Sequence, residues 1–150
     1  MSQTEIRVRE AKAEDLPAVA ELAAEWWPSA GPGLEREIRA DYLLSPDGAA
    51  FLACAGETPA GFACCRLRRD YVEGASSSPV GYLEGIYVCP ALRRRGAARA
   101  LLAAAKCWAA AHGCVEFASD CEEDNQVSRQ FHERMGFEEV NCIRCFLQKL

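Results

Sequence analysis

The sequence predicts an α/β protein with a mixed central sheet and helices on its faces, and two observations carry that prediction. Short runs of strand length recur between segments whose apolar residues follow helical spacing. Their order along the chain, β-α-α-β-β-β-α-β-α-β-β, is that of a sheet layered with helices. The length, 150 residues, fits one domain over 1–150 with one core.

Each element has its own justification. Ile6-Arg7-Val8-Arg9 alternates as a first strand. Leu16, Val19, Ala20, Ala23 and Trp27 then recur at helical spacing, and Pro28, which cannot continue a helix, closes it. After the Gly31-Pro32-Gly33 loop, residues 34–44 read as a second, shorter helix ended by the turn cluster Ser45-Pro46-Asp47-Gly48. Residues 49–55 and 61–69 are strands joined around Gly56-Glu57-Thr58-Pro59, a hairpin. A serine-rich loop over 74–79 leads to a strand over 82–88, stopped by Pro90. In the long helix that follows, Ala98, Leu101, Leu102, Ala105 and Trp108 form one apolar face, and Gly113 supplies the cap. Residues 115–119 are strand-like. Val127, Phe131 and Met135 place a last helix within 125–136, and 137–150 offers two closing strands.

Composition narrows the function. Half the residues are hydrophobic and 26% are charged, a soluble balance. The first ten residues carry Glu5, Arg7, Arg9 and Glu10 with no long apolar run, so no signal peptide is expected. The most apolar stretch, 96–111, contains Arg99 and Lys106 and is too short to span a bilayer. A cytoplasmic protein without a membrane partner is the expectation. Seventeen basic against 22 acidic residues give a net charge of −5, which disfavours nucleic acid and suits a cationic substrate. The nine cysteines read as reduced packing residues. Cys142-Ile143-Arg144-Cys145 matches C-x-x-C but lies in a strand-like run with neither a second such pair nor a histidine cluster, so no metal site is expected. The sequence contains no G-x-S-x-G, H-E-x-x-H, Walker loop or G-x-G-x-x-G, and the acidic run 120–124 lacks the spacing of a calcium loop.

The chemistry-bearing stretch is Tyr87-Val88-Cys89-Pro90-Ala91-Leu92-Arg93-Arg94-Arg95-Gly96-Ala97-Ala98. A strand ends, a short loop turns, and a helix starts on glycine and alanines. Small residues admit a ligand to the backbone, the unpaired N–H groups of a first helical turn attract an anion, and three arginines add positive charge. Arg-Arg-Arg alone would more often be a solvated helix start; the combined pattern is more specific.

At these residues the chain resembles the GNAT superfamily of acetyltransferases, whose signature Q/R-x-x-G-x-G/A is matched by Arg93-x-x-Gly96-x-Ala98. The resemblance implies a mostly antiparallel sheet with helices on both faces, and acetyl-CoA as co-substrate. It implies that the backbone around Arg93, Arg94, Arg95, Gly96, Ala97, Ala98 and Arg99 holds the pyrophosphate. Ile86, Tyr87 and Val88 would pair with the pantetheine arm like an added strand, with a backbone N–H near Val88 as oxyanion donor. Asn125 and Ser128 are similar to residues beside the far end of that arm. A narrower resemblance covers most of the chain. Tyr82-Leu83-Glu84-Gly85-Ile86-Tyr87-Val88, Glu116-Phe117-Ala118-Ser119-Asp120 and Phe131-His132-x-x-x-Gly136-Phe137-Glu138-Glu139 resemble aminoglycoside 6′-N-acetyltransferases of type I. It implies that Trp27, Tyr71, Glu84 and Asp120 surround an aminoglycoside, and that the enzyme is a homodimer.

Chemistry supports the carboxylates independently. An attacking amine must lose a proton, and a multiply cationic substrate calls for negative side chains. Strict alternation would put Glu84 on the face of Ile86 and Val88, so Gly85 is read as the mark of a bulge that redirects it. Asp120 ends a strand, at the edge where α/β sheets bind ligands. Without the resemblance, each would read as a solvated strand-end carboxylate. The chain departs from the family pattern twice. His132 stands where many members have a tyrosine that protonates the departing thiolate; it is either that donor or a packing residue. Asn141 stands where an acidic residue is common and contributes hydrogen bonds without charge. Two alternatives stay open: an acetyltransferase for another small amine, a polyamine or a peptide amine, and a non-catalytic acetyl-CoA sensor.

Overall fold

The structure, a computed structural model, describes residues 4–150. Its elements are β1 (Ile6–Glu10), α1 (Leu16–Trp26), α2 (Leu34–Ile38), β2 (Gly48–Ala55), β3 (Thr58–Arg68), β4 (Val80–Val88), α3 (Ala97–Ala111), β5 (Phe117–Ser119) and α4 (Gln126–Arg134). The strands form one sheet in chain order, antiparallel at every step except β4–β5. That last pair is parallel because α3 carries the chain back to the end of the sheet where β4 began.

Alternation along β2 and β3 decides what lies on each face. Ala49, Phe51, Ala53, Ala63 and Cys65 meet Leu101, Leu102 and Ala105 of α3. Ala50, Leu52, Phe62 and Cys64 point the other way, onto Val19, Leu22 and Ala23 of α1 and Ile38 of α2. Both strands are therefore apolar in nearly every position, as strands covered on two faces must be. Leu52 and Leu101 sit at 0% exposure on opposite faces. Truncating either to alanine is expected to cost about 2–5 kcal/mol in chemical denaturation.

One irregularity positions the site. Cys65 pairs with Leu83 and Cys64 with Gly85, so Glu84 is an extra residue in β4 with no partner in β3. The bulge shifts the parity of the strand. Leu83, Ile86 and Val88 face the α3 layer, while Glu84 turns to the α1 side. Gly85 leaves room there for Trp26, whose Cη2 would lie 3.0 Å from any Cβ at that position.

Elsewhere the structure corrects the sequence reading. The expected helix over 34–44 is α2 followed by a wider, π-type turn over Arg39–Leu43, and Gly48 packs against the Asp41 carbonyl too closely for a side chain. The strand expected over 115–119 shortens to Phe117–Ser119. Val127 is exposed; Met135, the C-cap of α4, packs against the core, and Phe131 lies edge-on to His132. The two closing strands expected over 137–150 do not form. The adjoining edge strand, β5, is three residues long, and an extended segment without a paired neighbour gains no ladder hydrogen bonds. Val140, Ile143, Phe146 and Leu147 are left in solvent, the last two at 91% exposure. Cys142 and Cys145 lie in that exposed segment rather than in a strand. Of the nine cysteines, Cys64, Cys65 and Cys114 are buried packing residues; Cys107, Cys121, Cys142 and Cys145 are exposed. Among the described residues no helix is long and apolar enough to cross a membrane.

Candidate active site

The candidate anion-binding end is made of backbone. Arg94 and Gly96 both adopt left-handed φ, +62 and +81, and this double turn brings the chain from β4 onto the start of α3. Ala100 N–H donates to the Gly96 carbonyl at 3.0 Å, so the amides of Ala97, Ala98 and Arg99 precede the first helical bond and lack partners within the helix. A Cβ on Gly96 would meet nothing within 4 Å, which leaves the cradle open in front of these donors. Two of the three arginines are committed elsewhere. Arg93 Nε donates to the Val88 carbonyl at 2.8 Å, with its guanidinium over the Tyr87 ring, and Arg95 donates to the Thr4 carbonyl. Both fasten the loop, while Arg94 and Arg99 stay exposed.

Next to the cradle runs an open strand edge. β5 pairs with β4 only at Gly81, Tyr82 and Leu83, so among the described residues no strand covers the far edge of β4 from Glu84 to Val88. Ile86 and Val88 anchor this stretch in the α3 layer and Tyr87 in the α1 layer. An open edge leading to unpaired helix amides fits an extended arm that ends in a pyrophosphate, as acetyl-CoA requires.

On the α1 side four side chains form a chain of contacts. Arg68 grips both carboxylate oxygens of Glu84, at 2.8 and 2.9 Å, and lies 3.4 Å from the centroid of the Tyr82 ring. The Tyr82 hydroxyl donates to Asp120. Burial, and then that bond to a carboxylate, pushes the Tyr82 hydroxyl well above the usual tyrosine range, so it stays a donor. The structure thus brings Glu84 and Asp120 into one network, and each already has a partner. Arg68 and Tyr82 are the residues that sequence reasoning missed. The bulge was legible at Gly85, but which cross-strand cation would answer Glu84 depends on register.

Around this network, Trp27 is the C-cap of α1, 45% exposed and edge-on to Trp26 at 6.3 Å. Trp26 is the one that reaches β4, over Gly85. Tyr71, 81% exposed, lines an open pocket of about 410 Å³ with Arg69, Asp70, Val72 and Ser76–Ser78. Its hydroxyl donates to Glu73 at 2.9 Å, and the Asn141 amide donates to the other oxygen of Glu73. These two bonds, Asn141 first, hold the Glu73 carboxyl below its usual range. Glu73 is a further carboxylate that the sequence did not single out, and it places a negative charge beside Asn141.

α4 carries the remaining candidates. Asn125 caps it, accepting from Ser128 N–H at 3.1 Å. His132 Nδ1 lies 2.7 Å from the Ser128 carbonyl and Nε2 2.7 Å from the Ser119 hydroxyl. Among the described residues no group of three or more His, Cys, Asp or Glu is placed to hold a metal ion.

Residues 16–137 match the Acetyltransferase (GNAT) family. The chain is 44% identical over 145 residues to an aminoglycoside N(6′)-acetyltransferase type 1 of Stenotrophomonas maltophilia, covering 95% of this chain and 93% of that one. A Serratia marcescens enzyme of the same name is 40% identical over 131 residues, 87% of this chain and 90% of its own. Among solved structures, AAC(6′)-Iy in complex with the bisubstrate analogue CoA-S-monomethyl-acetylneamine superposes with a TM-score of 0.92 at 34% identity, covering 97% of this chain and 99% of that one. Apo AAC(6′)-IG from Acinetobacter haemolyticus superposes with a TM-score of 0.90 at 33% identity, covering 96% and 99%. The chain belongs to the acetyltransferase (GNAT) family, among its aminoglycoside N(6′)-acetyltransferases of type 1.

Proposed function

We propose that this protein transfers the acetyl group of acetyl-CoA to the 6′-amine of aminoglycosides and so inactivates these antibiotics. The observation that carries the reading is the meeting of two opposite charge environments at one strand. The open edge of β4 leads at one end to the anion cradle of Gly96, and at the other to Glu84, turned by its bulge toward Asp120. Backbone amides from Arg94 to Arg99 hold the pyrophosphate, and Ile86, Tyr87 and Val88 pair with the arm. Asn125 and Ser128 flank its far end, and a backbone N–H on the open edge of β4 stabilises the tetrahedral oxyanion. Trp27, Tyr71 and Asn141 form the outer wall, with Glu84, Asp120 and Glu73 answering the ammonium groups of the drug.

The charge count at the inner wall matters. Arg68 offsets Glu84, whereas Tyr82 is neutral, so Asp120 carries the net negative charge that attracts a cation. Glu84 keeps Arg68 from repelling the substrate and orients the amine through its carboxylate.

Release of CoA thiol with aminoglycosides bearing a 6′-amine tests the proposal. Turnover with these, and none with 6′-hydroxyl aminoglycosides, is the expected result. Turnover only with polyamines or peptides moves the enzyme to another amine, and binding of acetyl-CoA without release from any acceptor makes it a sensor.

We also read the protein as a cytoplasmic homodimer, in the compartment that supplies acetyl-CoA. The exposed segment 138–150 supports the second copy: Ile143, Phe146 and Leu147 present apolar side chains to water. Sedimentation should give a dimer for the full chain and a monomer for a chain ending at residue 139.

A further inference from the structure

Ser119 is the last residue of β5 and stands opposite Leu83, the final pair before β4 and β5 part. Its hydroxyl lies 2.7 Å from His132 Nε2. The other ring nitrogen, Nδ1, lies 2.7 Å from the Ser128 carbonyl, which can only accept. Nδ1 therefore carries hydrogen. In the neutral ring Nε2 is bare, and the Ser119 hydroxyl donates to it.

Nothing in this arrangement is loose. The Asn125 cap fixes the first turn of α4, and the imidazole is wedged between Phe131 and Phe137, with ring centroids 5.6 and 5.2 Å away. His132 is aimed at the end of β5 and not at open solvent, so Ser119 covers the nitrogen a proton donor would use. The open edge of β4 from Val88 back to Glu84 offers four strand steps, roughly 13 Å at ~3.3 Å each. An extended arm anchored at Gly96 and laid along that edge brings its thioester to the level of Glu84 and Leu83, hence beside Ser119.

We propose that Ser119 is a catalytic residue, the relay through which His132 protonates the departing sulfur; this rests on the acetyl-CoA-dependent reading above. When the tetrahedral intermediate collapses, the carbon–sulfur bond breaks and its electron pair goes to sulfur. The Ser119 hydroxyl proton passes to sulfur, forming the thiol. The Nε2 proton of a His132 imidazolium passes to the serine oxygen, which leaves the neutral ring hydrogen-bonded as it is found here. The attacking nitrogen loses one proton to water and His132 takes one from water between turnovers, so one proton moves from nitrogen to sulfur in sum. The Ser128 carbonyl holds Nδ1–H throughout, which keeps the ring in the correct tautomer. His132 thus acts through Ser119 and does not touch the substrate.

Thiol release should be followed for the wild type and for Ser119→Ala, Ser119→Thr, His132→Gln and the Ser119→Ala/His132→Gln double variant. Each is assayed with a 6′-amino aminoglycoside, with a simple alkylamine and with water as sole acceptor, while calorimetry of acetyl-CoA binding verifies the fold. Ser119→Ala is expected to lower kcat roughly a hundredfold with KM for acetyl-CoA little changed, a general-acid effect. Ser119→Thr restores most of it, and the double variant is no slower than the worse single one. Wild-type kcat in Ser119→Ala, no rescue by threonine, or losses that multiply in the double variant would overturn the relay. Carbon–sulfur cleavage is common to all three acceptors. Failure of the aminoglycoside alone therefore refutes that substrate, and the other two arms still decide the relay.

Discussion

The two ends of the site hold charge by different means. At Gly96 the positive end is built from backbone: two left-handed residues, a helix start and amides without partners within the helix, with Arg93 and Arg95 committed to carbonyl oxygens. At Glu84 and Asp120 the negative end is built from side chains that already have partners, a guanidinium for one and a phenol for the other. A backbone site offers fixed dipoles and tolerates changes in neighbouring side chains. A site of paired side chains is balanced, and removing one member exposes the charge of its partner. Substitutions at the two ends should fail differently.

The largest effect is expected at the cradle. Gly96→Asp places a carboxylate in the proposed pyrophosphate cradle, and calorimetry should find no acetyl-CoA binding in a folded protein. The control is Gly96→Ala. Open space around the Cβ means no clash, and the left-handed φ of +81 costs about 1–2 kcal/mol of stability. Binding should survive in that variant. Equal loss in both would mean that conformation, and not charge, governs the loop.

Glu84→Gln comes next, because it does two things. It removes a carboxylate and leaves Arg68, until now gripped through both oxygens, as an uncompensated cation facing a cationic drug. The fall in kcat/KM for aminoglycosides should exceed a hundredfold, on the basis of about 3 kcal/mol or more for breaking a partly buried pair. Acetyl-CoA affinity should hold. Arg68→Met in the same chain should recover part of the loss by removing the stranded charge. Absence of any recovery would show that Glu84 acts on the substrate alone, without regard to Arg68.

Asp120→Asn should cost less. Its partner Tyr82 is neutral, so no charge is stranded, and the asparagine oxygen can still accept from the hydroxyl. A charge-assisted contact worth about 1.5–3 kcal/mol predicts a ten- to hundredfold fall in kcat/KM. A loss greater than that of Glu84→Gln would reverse the ranking and make Asp120 the base.

These contrasts also mark what a single sequence can convey. The cradle was legible because a backbone site is a local object: Arg93-x-x-Gly96-x-Ala98 encodes turn, helix start and small residues within six positions. The central sheet was legible for the same reason, since the strand-length runs 49–55 and 61–69 and the turn residues Gly56-Glu57-Thr58-Pro59 between them are local signals. The bulge was legible at Gly85 as a change in direction. Its consequence was not, because Arg68 meets Glu84 only through the β3–β4 register, sixteen residues apart in the chain. Tyr82 with Asp120 and His132 with Ser119 are equally non-local. Segment 137–150 misled because alternation records the capacity to form a strand, whereas forming one needs a neighbour.

The smallest effect is expected at the outer wall and tests whether exposure alone separates it from the inner one. Asn141 donates to Glu73, which also accepts from Tyr71; Asn141 and Tyr71 are exposed and Glu73 is half-exposed. Asn141→Asp removes that donor and adds a carboxylate beside Glu73, so the drug meets one more negative charge. Exposed charge pairs are worth about 0.2–1 kcal/mol, so kcat/KM for a multiply cationic aminoglycoside should rise at most roughly fivefold at low ionic strength. The Debye length shrinks from about 30 Å at 0.01 M salt to about 8 Å at 0.15 M, so the gain should fade with added salt. The loss in Glu84→Gln should persist, because Glu84 retains only 19% side-chain exposure and is poorly screened. A fall of more than tenfold in Asn141→Asp would show instead that the Asn141–Glu73–Tyr71 chain positions the tyrosine against the drug, making the outer wall a balanced side-chain site like the inner one.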